Sequence, residues 1–118
     1  MDHSAGGPQL GLAELMEALA SSDPAVRARG IARARPSPGA EDVLIDALAD
    51  PDPDVRREAV RALARTEGRK ATGALIEVSA GDVSIAVRAE AVAALGRILL
   101  ARAPEEPASE KDDQDGGE

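Results

Sequence analysis

The chain has 118 residues, of which 43% are hydrophobic, none is aromatic and none is cysteine, and its formal net charge is −8 at pH 7. That is enough apolar material for one domain with a core of Ala, Leu and Val, and it excludes disulfides, thiolate metal sites and cysteine nucleophiles. The charge is uneven: residues 1–103 hold 15 acidic and 13 basic side chains and residues 104–118 hold 7 and 1, so the acidity belongs mostly to a tail.

Residues 1–9 contain the single histidine, His3, and the run Ser4-Ala5-Gly6-Gly7-Pro8, and read as a flexible N-terminus. A first helix is expected over about Leu10 to Ala20. Asp23-Pro24 then supplies an N-cap and a first-turn proline for a second helix over about Pro24 to Arg35. Ser37-Pro38 repeats that device and opens a third helix, expected over about Ala40 to Ala49, which Asp50-Pro51 ends. Asp52-Pro53 opens a fourth over about Pro53 to Thr66, with Val55, Ala59, Val60, Ala62 and Leu63 on one face and Gly68 closing it. A fifth is expected over about Lys70 to Ala80, and a sixth, headed by Ser84, over about Ser84 to Ala101. The tail, 103–118, has no aliphatic side chain larger than Ala apart from Pro104 and Pro107 and is expected to be disordered. It would act as a solubilising segment, or as an electrostatic arm folding back over Arg57, Arg61 and Arg65.

These elements form three copies of one pattern, about 10–35, 37–67 and 70–101, inside a repeat domain spanning 10–102. Leu15-Met16-Glu17-Ala18-Leu19, Leu44-Ile45-Asp46-Ala47-Leu48 and Leu75-Ile76-Glu77-Val78 open the copies, and Val26-Arg27, Val55-Arg56 and Val87-Arg88 recur in their second halves. Leu15 to Leu44 and Val26 to Val55 are both 29 residues, and Val55 to Val87 is 32. Such a period marks a solenoid, in which a unit buries its apolar face only by stacking on its neighbours.

The pattern Leu-x-x-x-Leu, a turn with Asp-Pro, then Val-Arg-x-x-Ala-x-x-Ala-Leu resembles HEAT repeats, and the short period is similar to the compact bacterial HEAT-like repeats named after phycobilisome lyases. The resemblance implies an all-α, right-handed α-solenoid of about three helical hairpins, an armadillo-type fold. The middle copy carries it best. The first has Gly30 where the family prefers Ala, and the third has the irregular turn Ser79-Ala80-Gly81-Asp82-Val83. The resemblance also implies a ladder between units made by the turn Asp and the Arg after Val, which assigns Asp23, Arg27, Asp52, Arg56 and Arg88 to the scaffold.

Candidates for contact with a partner are the cations that the second helices turn outward: Arg29, Arg33, then Arg57, Arg61 and Arg65 at i, i+4, i+8 spacing, and Arg97. The first helices turn Glu14, Glu17, Glu41, Asp42, Asp46 and Glu77 outward instead. By resemblance the second helices line the concave side, so the body would be basic inside its curve and acidic outside. The alternative is a solvated face on which Glu58 and Glu90 pair with nearby arginines.

Guanidinium forks suit carboxylates or phosphates. The leading reading is a non-catalytic protein–protein interaction scaffold or adaptor that takes an acidic or helical partner segment on the face of the second helices. Nucleic-acid binding through the phosphate backbone is the alternative, disfavoured by the near-neutral body, the acidic tail and the lack of any ring for base stacking. A third reading, implied by the phycobilisome-lyase resemblance alone, is a subunit of a bilin-lyase-like heterodimer. No catalytic residue, cofactor or metal is expected: Ser and Thr sit at caps, turns or tail, and Asp50-Pro51-Asp52-Pro53-Asp54 lacks the glycine of a calcium loop. No apolar run approaches a membrane span and the first residues lack a signal-peptide pattern, so no membrane association and a cytoplasmic location are expected. The abundance of Ala, Arg, Gly and Asp points to a GC-rich bacterial genome. Ile98-Leu99-Leu100 is expected to cap the core, to form a homodimer, or to dock on a larger complex.

Overall fold

The computed structural model describes residues 8–66 and 68–102 and contains six helices: α1 (Leu12–Leu19), α2 (Pro24–Ala32), α3 (Pro38–Ala47), α4 (Pro53–Ala64), α5 (Arg69–Gly81) and α6 (Ile85–Arg102). The tail expected over 103–118, and the opening segment apart from Pro8 and Gln9, lie outside the described residues. Cap chemistry sets most of the helix starts. The Asp23 carboxylate accepts from Ala25 N–H at 2.9 Å, the Ser37 hydroxyl from Ala40 N–H at 3.1 Å, and Asp52 from Asp54 and Val55 N–H at 2.8 and 3.2 Å, each ahead of a first-turn proline. Ser84 Oγ accepts from Val87 N–H at 3.3 Å at the head of α6.

Several boundaries differ from the sequence expectation by one to three residues, and those around Leu10 and Gly68 do so for hydrogen-bonding reasons. Leu10 lies outside α1 because its backbone pairs with the strand-like end of the α2 segment. Leu10 N–H donates to Arg33 O at 2.7 Å and Arg35 N–H to Leu10 O at 2.8 Å, a single parallel rung that stops α2 at Ala32 and delays α1 to Leu12. Gly68 starts α5 instead of closing α4, which ends on Arg65 as its C-cap. With no side chain of its own to cap α5, the chain borrows one: Glu41 Oε2, from α3, accepts from Ala71 N–H at 3.1 Å. A Cβ at Gly68 would run into that carboxylate, so the glycine admits a cap from the preceding hairpin. Glu41 therefore joins two units and is not simply an outward acid.

The helices pair as α1/α2, α3/α4 and α5/α6. The second helices α2, α4 and α6 pack closely on one another, whereas α1, α3 and α5 meet more sparsely in the opposite layer. Between the layers Leu15, Ile31, Leu44, Val55, Val60, Leu63, Leu75 and Val87 are fully buried, with Ala59, Ala62, Ala71, Ala91 and Ala94 filling the close approaches. Gly30, Ala59 and Ala91 stand at equivalent places, four residues after Val26, Val55 and Val87. At Gly30 a Cβ would lie 2.5 Å from Ala18 Cβ, so the first hairpin closes too tightly for the alanine used in the other two.

Consecutive hairpins are joined by guanidinium forks. Arg27 donates through Nε and Nη2 to Asp50 at 2.8 and 2.9 Å and through Nη1 to Ser21 O at 2.9 Å. Arg56, only 9% exposed, repeats the arrangement: Nε and Nη2 grip Asp82 at 2.9 and 3.1 Å, and Nη1 donates to the carbonyls of Asp50 and Pro51. Asp50 and Asp82 also accept from the N–H two residues on, Asp52 and Ser84, at 2.9 and 2.8 Å. The ladder acids are thus Asp50 and Asp82. Asp23 and Asp52, which the resemblance placed there, are committed to capping helices. Arg88 Nη1 donates to Asp82 O at 2.6 Å.

Burial raises the pKa of Asp50 and Asp82, but the guanidinium and backbone N–H hydrogen bonds outweigh it and hold both below the ordinary carboxylate value. A folded-state pKa below the unfolded one contributes stability that is present above the unfolded value, about 3.9, and lost as pH falls through the lower folded value. Urea midpoints followed by circular dichroism should accordingly stay level from neutral pH to about 5 and fall below about 4. Asp82→Asn should lower stability at pH 7 by about 3 kcal/mol and flatten that acid slope. Gly30→Ala should cost about 1–3 kcal/mol in the same assay through its clash with Ala18.

Candidate functional site

Where α4 and α6 lie side by side, Arg61 and Arg65 from the end of α4 and Arg97 and Arg102 from α6 surround a cavity of about 420 Å³ whose floor is Ala64, Ile98 and Ala101. Arg65 and Arg97 occupy equivalent positions, ten residues after Val55 and Val87, so the repeat itself brings them together. Arg61 Nη1 donates to Glu58 Oε2 at 3.0 Å and Nη2 to Glu90 Oε1 at 3.2 Å, and Arg97 Nη2 lies 3.8 Å from Glu90 Oε2. The hydrogen bond that Arg61 donates to Glu90 raises the pKa of Arg61 above the ordinary arginine value, against the opposing effect of desolvation. Arg65 is exposed and makes no ion pair among the described residues. Arg61, Arg65 and Arg97 against Glu58 and Glu90 leave this end of the second-helix layer with surplus positive charge among these groups, centred on Arg65.

The other three candidate cations lie elsewhere. Arg57 Nη1 contacts Asp54 Oδ1 at 3.4 Å, and its Nε is shielded from solvent without an acceptor among the described residues. Arg29 borders a hollow of about 400 Å³ shared with Asp23, Asp52 and Asp54, an acidic neighbourhood. Arg33 Nε donates to Pro8 O at 3.2 Å. It stands seven residues after Val26 where Arg61 stands six after Val55, about 100° further round its helix. The expected six-residue set therefore divides, and Arg61, Arg65 and Arg97 are the members that converge. Arg102 joins them and was missed because a helix ended at Ala101 leaves it out. Its signal was its place four residues after Ile98, on the same side of α6. Of the scaffold set, Asp23 and Asp52 are N-caps and Arg27, Arg56 and Arg88 stand near the starts of α2, α4 and α6 and reach the loops, all away from this cavity.

The first-helix layer carries more than acids. A trough of about 460 Å³ between α1 and α3 is lined by Met16, Leu19, Val43 and Ala47 beside Asp46 and Asp50, and one of about 390 Å³ between α3 and α5 by Ile45, Leu48, Ala74 and Val78. On this side Lys70 Nζ donates to Asp42 Oδ1 at 2.7 Å, and that bond raises the lysine pKa. Among the described residues no group of three or more His, Cys, Asp or Glu side chains could hold a metal ion, and no helix is long and apolar enough to cross a membrane.

Glu90, half-buried between two arginines, restrains both. Glu90→Gln should leave stability within about 1 kcal/mol of the native chain. It should lower the side-chain order of Arg61 and Arg97, read as a smaller heteronuclear NOE and slower transverse ¹⁵N relaxation at their Nε. A family model described as HEAT repeats matches residues 12–96. No curated protein and no solved structure matches the chain.

Proposed function

Since the chain belongs to the HEAT repeat family, whose hairpins commonly mediate protein–protein interaction and are generally non-catalytic, we propose that it is an adaptor binding an acidic, helical segment of a partner protein over the cavity between α4 and α6. The observation that carries this reading is the convergence of Arg61, Arg65 and Arg97 above an apolar floor of Ala64, Ile98 and Ala101. An amphipathic helix answers both halves of that surface. Its aliphatic side chains cover the floor, and its carboxylates take the exposed Arg65 fork and compete with Glu90 for Arg97. A polyphosphate backbone answers only one half. It gains nothing from the apolar floor and meets the resident carboxylates of Glu58 and Glu90, which repel it.

The test compares the native chain with Arg61→Glu/Arg65→Glu/Arg97→Glu as bait in low-salt affinity purification from nuclease-treated and untreated lysate of the source cell, with far-ultraviolet circular dichroism to verify the variant's helices. The expected result is a protein recovered by the native chain from both lysates and lost by the variant, with recovery falling as salt is raised. Recovery of nucleic acid from the untreated lysate alone, or an unchanged set of proteins on the variant, would overturn the reading.

A further inference from the structure

The second helices repeat one stacking surface, and its last copy, on α6, is covered by no further hairpin among the described residues. Five residues after each recurring Val stands an aliphatic side chain for the next hairpin to cover. Ile31 and Val60 are 0% exposed, whereas their counterpart on α6, Val92, is 59% exposed. Ile85 and Leu99, seven residues to either side of Val92 and so on the same side of α6, are exposed as well. One residue after each Val stands a ladder arginine. Arg27 and Arg56 use Nε and Nη2 to hold the carboxylate of the following loop. Arg88 makes only the bond to the carbonyl of its own loop, so among the described residues its Nε and Nη2 have no acceptor. The apolar and the ionic half of a stacking contact are thus left open on one face.

We infer that this face of α6 docks a helical hairpin of a partner protein, whose loop carboxylate meets Arg88 Nε and Nη2 while its helices cover Ile85, Val92 and Leu99. The contact is the one made twice inside the chain, at Arg27–Asp50 and Arg56–Asp82, so its geometry and chemistry are specified in advance. A second copy stacked head to tail does not supply it. The loop position equivalent to Asp50 and Asp82 in the first hairpin is Ser21, whose Oγ accepts from Asp23 N–H at 3.1 Å just as those carboxylates accept from Asp52 and Ser84. A hydroxyl there returns no charge to Arg88. Residues 104–118 hold carboxylates but, apart from Pro104 and Pro107, no aliphatic side chain larger than Ala with which to cover Val92. The face shares no residue with the arginine-lined cavity, and the two proposals stand or fall separately.

The probe is a peptide of residues 69–102, whose loop presents Asp82 in the form that already stacks on α4, titrated into the ¹⁵N-labelled full chain. A second chain carries the same residues inserted after Arg102, which removes any dependence on peptide affinity. The expected peptide-induced shifts fall on Arg88 Nε–H and on the amides near Ile85, Val92 and Leu99. Binding should weaken about tenfold or more with Asp82→Asn in the peptide or Arg88→Gln in the chain. In the extended chain the added hairpin should fold, and Arg88→Gln should lower its folding constant by about the factor that Arg56→Gln produces in the native chain. An added hairpin that stays unfolded, or one indifferent to Arg88→Gln, would overturn the inference. A native dimer dissociated by Val92→Asp would overturn the choice of occupant in favour of a second copy, and a shift of Arg88 Nε–H on deleting 104–118 would do so in favour of the tail.

Discussion

The guanidinium fork between consecutive hairpins is the constraint on which the rest of this fold depends. Burial of Ala, Leu and Val drives the hairpins together but is non-directional, and with no aromatic side chain in the chain the core has few large shapes to key one unit onto the next. A stack of such helices slipped by one turn would bury a similar area. Arg27 and Arg56 remove that freedom because each must satisfy the next loop's carboxylate and its own loop's carbonyl at once. Taking these charges out of water is costly, and the offset comes from the number of bonds each ion makes: two from the fork and one backbone N–H to each carboxylate. The ladder thus contributes register as well as stability.

Most of the helical framework was legible because its determinants are local. A capping residue followed by proline, a Val-Arg pair and an apolar face at helical spacing act within a few residues, and Pro24, Pro38 and Pro53 do begin α2, α3 and α4. What escaped was set across units. Asp50 and Asp52 are chemically alike and two residues apart, and only the position of the preceding hairpin decides that one grips Arg27 while the other caps α4. Glu41 reads as a surface acid until α5 is found to need a cap and Gly68 to leave room for one. Leu10 reads as a helical residue until the extended segment at Ala34 is placed beside it. Gly30 reads as a degenerate alanine until Ala18 is seen against it.

The candidate site shows the same division. Spacing along one helix identifies which arginines share a face of α4, but whether that face meets cations from α6 depends on how the two helices pack, and the register of Arg33 removes it from the set altogether. The chain is acidic as a whole, mostly through residues 104–118, yet cationic at this spot, where Arg65 has no carboxylate partner among the described residues. Arg27 and Arg56 are bound in the ladder, and Arg33 is turned onto a carbonyl. Net charge therefore says little about what this surface attracts. The local excess around Arg65, beside the partly neutralised Arg61 and Arg97, is the relevant quantity.

The unequal packing of the two layers has a mechanical consequence. Close contact among α2, α4 and α6 and sparse contact among α1, α3 and α5 make the stack behave as a leaf spring whose stiff leaf is the second-helix layer. A change in curvature would be taken up first between α1 and α3, because α3 and α5 are also tied by Glu41 to Ala71 N–H and by Lys70 to Asp42. The trough beside Met16 and Val43 is thus the one whose width would follow the bend of the stack.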